Sequence, residues 1–309
     1  MKANQRRGML LNMHVTILAV AFYFFVVSTT VTAATFDRNS QVPVSLKHGT
    51  TKMLGKRWEA ATALAKLEQE VEDFNAQWVA GAKDVAESTS RRRLICLPLD
   101  DRFDPPMGSF SHEHVQTGDK MSLPSVFFNT IKTNNAEVPW LFSVSRVEGV
   151  TGDRVQVHDS FAMEPLNEVV GGPLDFRAPP NYVFLPWWMM RALGLQPRDV
   201  VDVKLITTVP AGSMAKLRPH SSKFAKEIAN PQAVMETELR HYSSLTKGST
   251  IAFDYNGKRY WFDVVELRSP QRGEKQPMVK VQDCDIGTDF LPAKDTLKKR
   301  KQKNKNPED

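Results

Sequence analysis

The chain has 309 residues, 41% of them hydrophobic and 25% charged, with a formal net charge of +6. This is ordinary globular composition, with length for one to two domains and a real core. Two cysteines, Cys96 and Cys284, are too few for a disulfide framework, and without Cys-x-x-Cys spacing or a nearby His pair they point to no zinc site.

At the N-terminus Lys2, Arg6 and Arg7, with no acid, precede the apolar run VTILAVAFYFFVV (15–27). Small residues at Val31 and Ala33 place a cleavage site between Ala33 and Ala34, so residues 1–33 read as a signal peptide leading into the secretory pathway. The competing reading is a membrane anchor over residues 8–27, just long enough to span but weakened by Asn12 and His14. Residues 34–57 carry Arg38, Lys47, Lys52, Lys56 and Arg57 against Asp37 and are rich in Ser and Thr, as in a transit peptide or a plain linker. Next, Leu64, Leu67, Val71, Phe74 and Trp78 alternate spacings of three and four, which predicts an amphipathic helix from Trp58 to Ser88 within a segment 58–90. Its stripe suits docking on the following domain or a coiled coil.

From Leu94 the pattern changes to short strands: RLICLPL (93–99), VPWLFSVSRV (138–147), RVQVHDSFAM (154–163), NYVFLP (181–186) and DVVDVKLITTV (199–209). The stretch 164–180, with four prolines and two glycines, reads as an irregular excursion. Such strands with few helices predict a barrel over 94–213. In FLPWWMMRALGL (184–195) Pro186 opens a helix over Trp187–Leu193 and Gly194 closes it. Trp188, Met189, Leu193 and Leu195 are expected to plug the barrel end; Met190 and Trp187 face elsewhere, with Trp187 exposed.

A second module is expected over 214–293. Asn230 and Pro231 open a helix whose Val234, Leu239 and Tyr242 turn inwards. Asn256-Gly257 between two alternating runs is a hairpin turn. Residues 277–290 supply a last strand, with Cys284 as a buried thiol. The final segment, 294–309, holds seven basic residues against three acids and reads as a basic disordered tail, or else a nuclear-localisation or nucleic-acid arm. His112 and His114, and Asp100, Asp101 and Asp104, read as solvated loops; no catalytic or phosphate-binding motif appears, so no enzyme, cofactor or metal is expected.

The segments LPSVFFNTI, PWLFSVS, FLPWWMMRALGL, KLRPHSSKFAKEIANPQAVMETELRHYSSLTKGSTIAFDYNGKRYWFDVVEL and CDIGTDFLP follow one another in a familiar order. Over roughly residues 94–293 the chain resembles the N-terminal domain of the ubiquitin fusion degradation protein 1 family. The resemblance implies a mixed, β-rich α/β fold: a double-psi β-barrel followed by a smaller mixed α/β subdomain. It also implies a non-enzymatic adaptor that binds ubiquitin or polyubiquitinated proteins. With nuclear protein localization protein 4, such adaptors recruit the valosin-containing AAA ATPase for ER-associated degradation, and no nucleic acid is expected as partner. Matched onto this chain, the polyubiquitin surface falls around Leu245–Tyr260, with Leu245, Tyr255, Asn256 and Tyr260, together with Trp187, as candidate contacts.

Two features depart from the family. No Phe-x-Gly-x-Gly segment occurs before Asp309, so ATPase docking by that motif is not expected. The leader, with its AATF junction (33–36), resembles versions in algae with red-derived complex plastids. That resemblance implies a periplastid location and a role in preprotein translocation. The alternatives are an ER-anchored or cytosolic degradation adaptor, the latter with translation starting at Met53, and a basic nucleic-acid- or membrane-binding protein.

Overall fold

A computed structural model describes residues 44–99, 115–148, 164–271 and 273–297, with side chains from Trp58 onwards. Ala33 and Ala34, the 154–163 strand and the His112 and Asp100 loops lie outside the described residues. The chain divides into residues 1–61 and residues 62–309. Of the first unit, only the start of helix α1 (Val44–Gly81) is described.

α1 differs from the expected helix at both ends. It begins at Val44, inside the segment read as a transit peptide or plain linker and ahead of the expected start at Trp58, and stops at Gly81 instead of running to Ser88. Glycine is a poor helix residue, and Asp84 starts a new helix, α2 (Val85–Ser90), by accepting a hydrogen bond from the Glu87 amide at 2.7 Å. The apolar stripe docks on the same chain. Val71, with Leu67 beside it, joins Ile95, Val147 and Val200 in a small core. Asn75 pairs with the backbone of Arg93, donating to its carbonyl and accepting from its amide, both at 2.9 Å. The Arg93 guanidinium lies 3.5 Å from the Phe74 ring centre, and that of Arg91 lies 4.9 Å from Trp78.

Six strands close into a barrel: β1 (Arg91–Pro98), β2 (Lys120–Pro124), β3 (Leu141–Arg146), β4 (Glu168–Ala178), β5 (Tyr182–Leu185) and β6 (Val200–Ile206). Around the barrel the order is β1-β5-β2-β4-β3-β6. β1–β5 and β2–β4 are parallel, and the remaining neighbours are antiparallel. Closure removes the exposed edges an open sheet would carry. Helix α3 (Val126–Thr133) follows β2, and its Phe127 packs edge-on against Phe142 inside.

β4 corrects the expected irregular excursion. Its proline falls where the register against β2 shifts, a position that tolerates a missing amide. Its glycines serve close approach: a Cβ on Gly171 would lie 2.4 Å from the Asp119 carbonyl oxygen. Helix α4 (Trp187–Leu193) ends, as expected, at Gly194 in the left-handed region, φ 63°. Met190 is buried along with Trp188, Met189 and Leu193, because the helix is wedged between the barrel and the second module. The Trp188 indole donates to the Gly118 carbonyl at 2.7 Å, and its ring lies 6.3 Å from Tyr242 of that module.

The second module comprises β7 (Met214–Pro219), α5 (Lys223–Glu227), α6 (Pro231–Glu238), β8 (Ser244–Thr246), β9 (Thr250–Tyr255), β10 (Lys258–Arg268), β11 (Lys275–Gln276), β12 (Met278–Lys280) and β13 (Gly287–Phe290). One sheet runs β11-β10-β7-β13 with β9 also on β10, and β12 pairs separately with β8. The single strand expected over 277–290 is therefore two strands in different sheets, because the chain turns at Asp283, φ 59°. Cys284 sits in that connection and is half-buried, not buried as expected. Cys96 is the buried thiol, and burial pushes it up to about 12. α6 begins as read from the sequence, with Asn230 Oδ1 accepting from the Ala233 amide at 3.2 Å.

Residues 294–297 also depart from the expected tail. Lys294 Nζ lies 2.6 Å from Asp263, and the Asp295 carboxylate accepts from the Ser222 amide at 2.9 Å and hydroxyl at 2.8 Å. Side-chain pairing thus holds a segment with almost no apolar residues; the rest of the tail, 298–309, lies outside the described residues.

Candidate partner-binding site

The β9–β10 hairpin turns at Asn256 (φ 49°) and Gly257 (φ 69°), the two positive values that a type I′ turn requires. Asn256 is exposed at the tip, and Tyr255 beside it is half-buried. Behind the turn Arg259 donates twice to Asp254, each bond 2.8 Å, which locks the cross-strand pair. Tyr260 is only 7% exposed, and its hydroxyl donates to Glu227 on α5 at 2.7 Å. That bond raises the Tyr260 phenol to about 12. Lys258 Nζ also reaches Glu227 at 2.9 Å, and the Lys258 and Tyr260 bonds together hold the Glu227 carboxyl below its ordinary range.

Leu245 is 1% exposed in β8, so it supports the surface from within the core and offers no side chain to a partner. Trp187, at 43%, is exposed at the start of α4, where its amide donates to Gln116 Oε1 at 3.1 Å. Arg191, one turn further on, places its guanidinium 5.4 Å from the Trp261 ring centre on β10. Tyr255, Asn256 and Tyr260 thus share one hairpin, and Arg191 bridges α4 to it.

Sequence reading missed Arg191, Phe224, Glu227, Lys258 and Trp261. Arg191 carried a signal in standing four residues after Trp187, on the same helical face. Phe224 lies beneath the hairpin, its ring centre 6.0 Å from Tyr260, 4.7 Å from Phe262 and 5.1 Å from Phe290. This aromatic cluster makes a stiff base for the surface above it.

The seam between barrel and second module is polar. Asp119 is fully buried and accepts from the Ser243 and Ser244 amides at 2.8 and 2.9 Å, while Lys120 bonds the Ser243 hydroxyl. Burial pushes the Asp119 carboxyl up, and this outweighs Lys120 and the two amides. Ser244 and Thr246 bond the carbonyl and amide of Val170 through their hydroxyls, at 3.0 and 3.2 Å. β8 therefore docks on β4 through side chains. Among the described residues no group of three or more His, Cys, Asp or Glu could hold a metal ion, and no helix is long and apolar enough to cross a membrane.

The two modules on either side of this seam coincide with two family models. Residues 103–209 match "Ubiquitin fusion degradation protein UFD1, N-terminal subdomain 1", and residues 211–293 match subdomain 2 of the same domain. The chain belongs to the ubiquitin fusion degradation protein 1 family. Among relatives, the ubiquitin fusion degradation protein 1 homolog of Dictyostelium discoideum is 30% identical over 59% of this chain and 48% of its own. Ubiquitin fusion degradation protein 1 of Saccharomyces cerevisiae is 33% identical over 57% of this chain and 43% of its own. The human ubiquitin recognition factor in ER-associated degradation protein 1 is 30% identical over 59% and 52%. The chain spans about half the length of these relatives. Helix α1 precedes both family-model matches.

Proposed function

We propose that this chain is a non-enzymatic, ubiquitin-binding adaptor of an ER-associated-degradation type of extraction machinery. The observation that carries the reading is the consecutive match of both N-terminal subdomains of the ubiquitin fusion degradation protein 1 family. The ubiquitin-recognising surface is assigned to the hairpin tip at Tyr255 and Asn256, with exposed Trp187 as an aromatic anchor. The barrel is read as a double-psi barrel, and its parallel β1–β5 and β2–β4 pairings, made by strands apart in sequence, support that reading. The wider partners are a valosin-containing AAA ATPase and nuclear protein localization protein 4.

The test is binding of the full chain to monoubiquitin and to ubiquitin chains by biolayer interferometry. Chains should bind, and Tyr255→Ala and Trp187→Ala should each weaken binding by about tenfold, the scale of an interface aromatic. No binding of either form would overturn the reading.

The finer assignment is to the periplastid compartment, in preprotein translocation across a complex-plastid membrane. The basic, apolar and small-residue order of residues 1–33 and the AATF junction support it. A C-terminal fluorescent fusion in the native cells should then lie around the plastid with the leader removed. A cytosolic or reticular signal would favour an ordinary degradation adaptor, the reading supported by the human relative's name.

A further inference from the structure

A groove of about 350 Å³ lies between α5 and the β10 side of the hairpin. Phe224, Tyr260 and Trp261 line it together with Lys223, Lys258 and Arg259, and Glu227 is the one acid in its wall. We infer that this groove docks an acidic linear segment of a partner protein through one aromatic or large aliphatic anchor.

Three observations point to that occupant. The groove is concave and aromatic-walled, and the cluster around Phe224 keeps its base stiff, which suits a single apolar side chain. Its charges are complementary to acid: with Arg259 neutralised by Asp254, Lys223 and Lys258 stand against the single Glu227, so a basic segment is repelled and an acidic one is drawn in. The two lysines are also open to exchange. Lys223 is exposed and is attracted to Glu227, four residues further along α5, only at the solvent-exposed surface. The Lys258–Glu227 pair is 62% and 34% exposed, and such surface pairs contribute little, so a ligand carboxylate can take Lys258 from Glu227 at small cost. Arg259 stays committed to Asp254 and keeps the hairpin in register while the lysines bind.

The test uses the full chain and a fluorescein-labelled peptide of twelve residues, Asp and Glu flanking one Phe, read by fluorescence anisotropy. The acidic peptide should bind, and its affinity should fall as salt rises. Replacing its Phe by Ala, or its acids by Lys, should remove most of the binding. Lys223→Glu alone, at an exposed side chain, should weaken binding by about tenfold, and Lys223→Glu with Lys258→Glu should weaken it further. No binding of the acidic peptide, or equal binding by the Lys223→Glu chain, would overturn the inference. Ubiquitin-chain binding on the same sample separates the two readings: if it persists while the peptide does not bind, only the groove inference falls.

Discussion

Gly171 shows how a single residue sets the packing of the barrel. A Cβ there would come within 2.4 Å of both the Asp119 carbonyl oxygen and Met189 Cε. One contact is backbone, which cannot swing aside, and the other is a methionine at the base of α4. Gly171→Ala should therefore destabilise the fold by about 1–3 kcal/mol, the usual cost of overpacking a filled core. The measurement is a urea midpoint, which should fall with the slope unchanged; an unmoved midpoint would mean that β4 shifts freely. Asn256-Gly257 is the contrasting case. Nothing lies within 4 Å of a Cβ on Gly257, so positive φ alone demands glycine there. The second kind of glycine is legible in sequence because the turn is local. The first is not, since the atoms that crowd Gly171 come from residues 119 and 189.

At the scale of elements, α1 carries both a stripe and a specific lock. The stripe fixes which face of the helix docks, while the Asn75 amide fixes register by completing both backbone groups of Arg93. Asn75→Ala leaves those groups without the partner they have in this half-buried site, a local cost of about 1–3 kcal/mol. Hydrogen exchange at the Arg93 amide should speed up by about tenfold or more. If protection there is unchanged, the helix is held by its apolar stripe alone. A coiled-coil seam and a docking stripe share one spacing; the chemistry of Arg91 and Arg93 against Phe74 and Trp78 decided in favour of docking.

For the whole molecule, the seam between barrel and second module rests on Asp119. Removing its carboxylate by Asp119→Ala strands the Ser243 and Ser244 amides, and stability should fall by about 2–4 kcal/mol. The deficit should depend on pH. The folded carboxyl titrates above the ordinary aspartate value of 3.8, so between the two values the folded state holds more protons than the unfolded one. Asp119 therefore contributes more stability as pH falls through that interval and less above it. The gap between the native chain and Asp119→Ala should widen on moving from neutral pH towards pH 4. Thermal melts across that range that run parallel would remove the assigned burial of Asp119.

The local features were written in the sequence alone. The α4 helix with its Gly194 stop, the Asn230 cap and the hairpin turn each depend on a few adjacent residues whose backbone preferences suffice. Barrel closure, the strand at Glu168–Ala178 and the division of 277–290 between two sheets needed the tertiary structure, because each depends on partners far along the chain. The same division runs through the candidate site. Trp187 and Asn256 were readable as an exposed aromatic and an exposed turn, whereas burial of Leu245 and the meeting of Phe224, Glu227, Lys258 and Trp261 came only with packing. A side chain's own chemistry is written locally, but whether it faces solvent or core is decided by what folds against it.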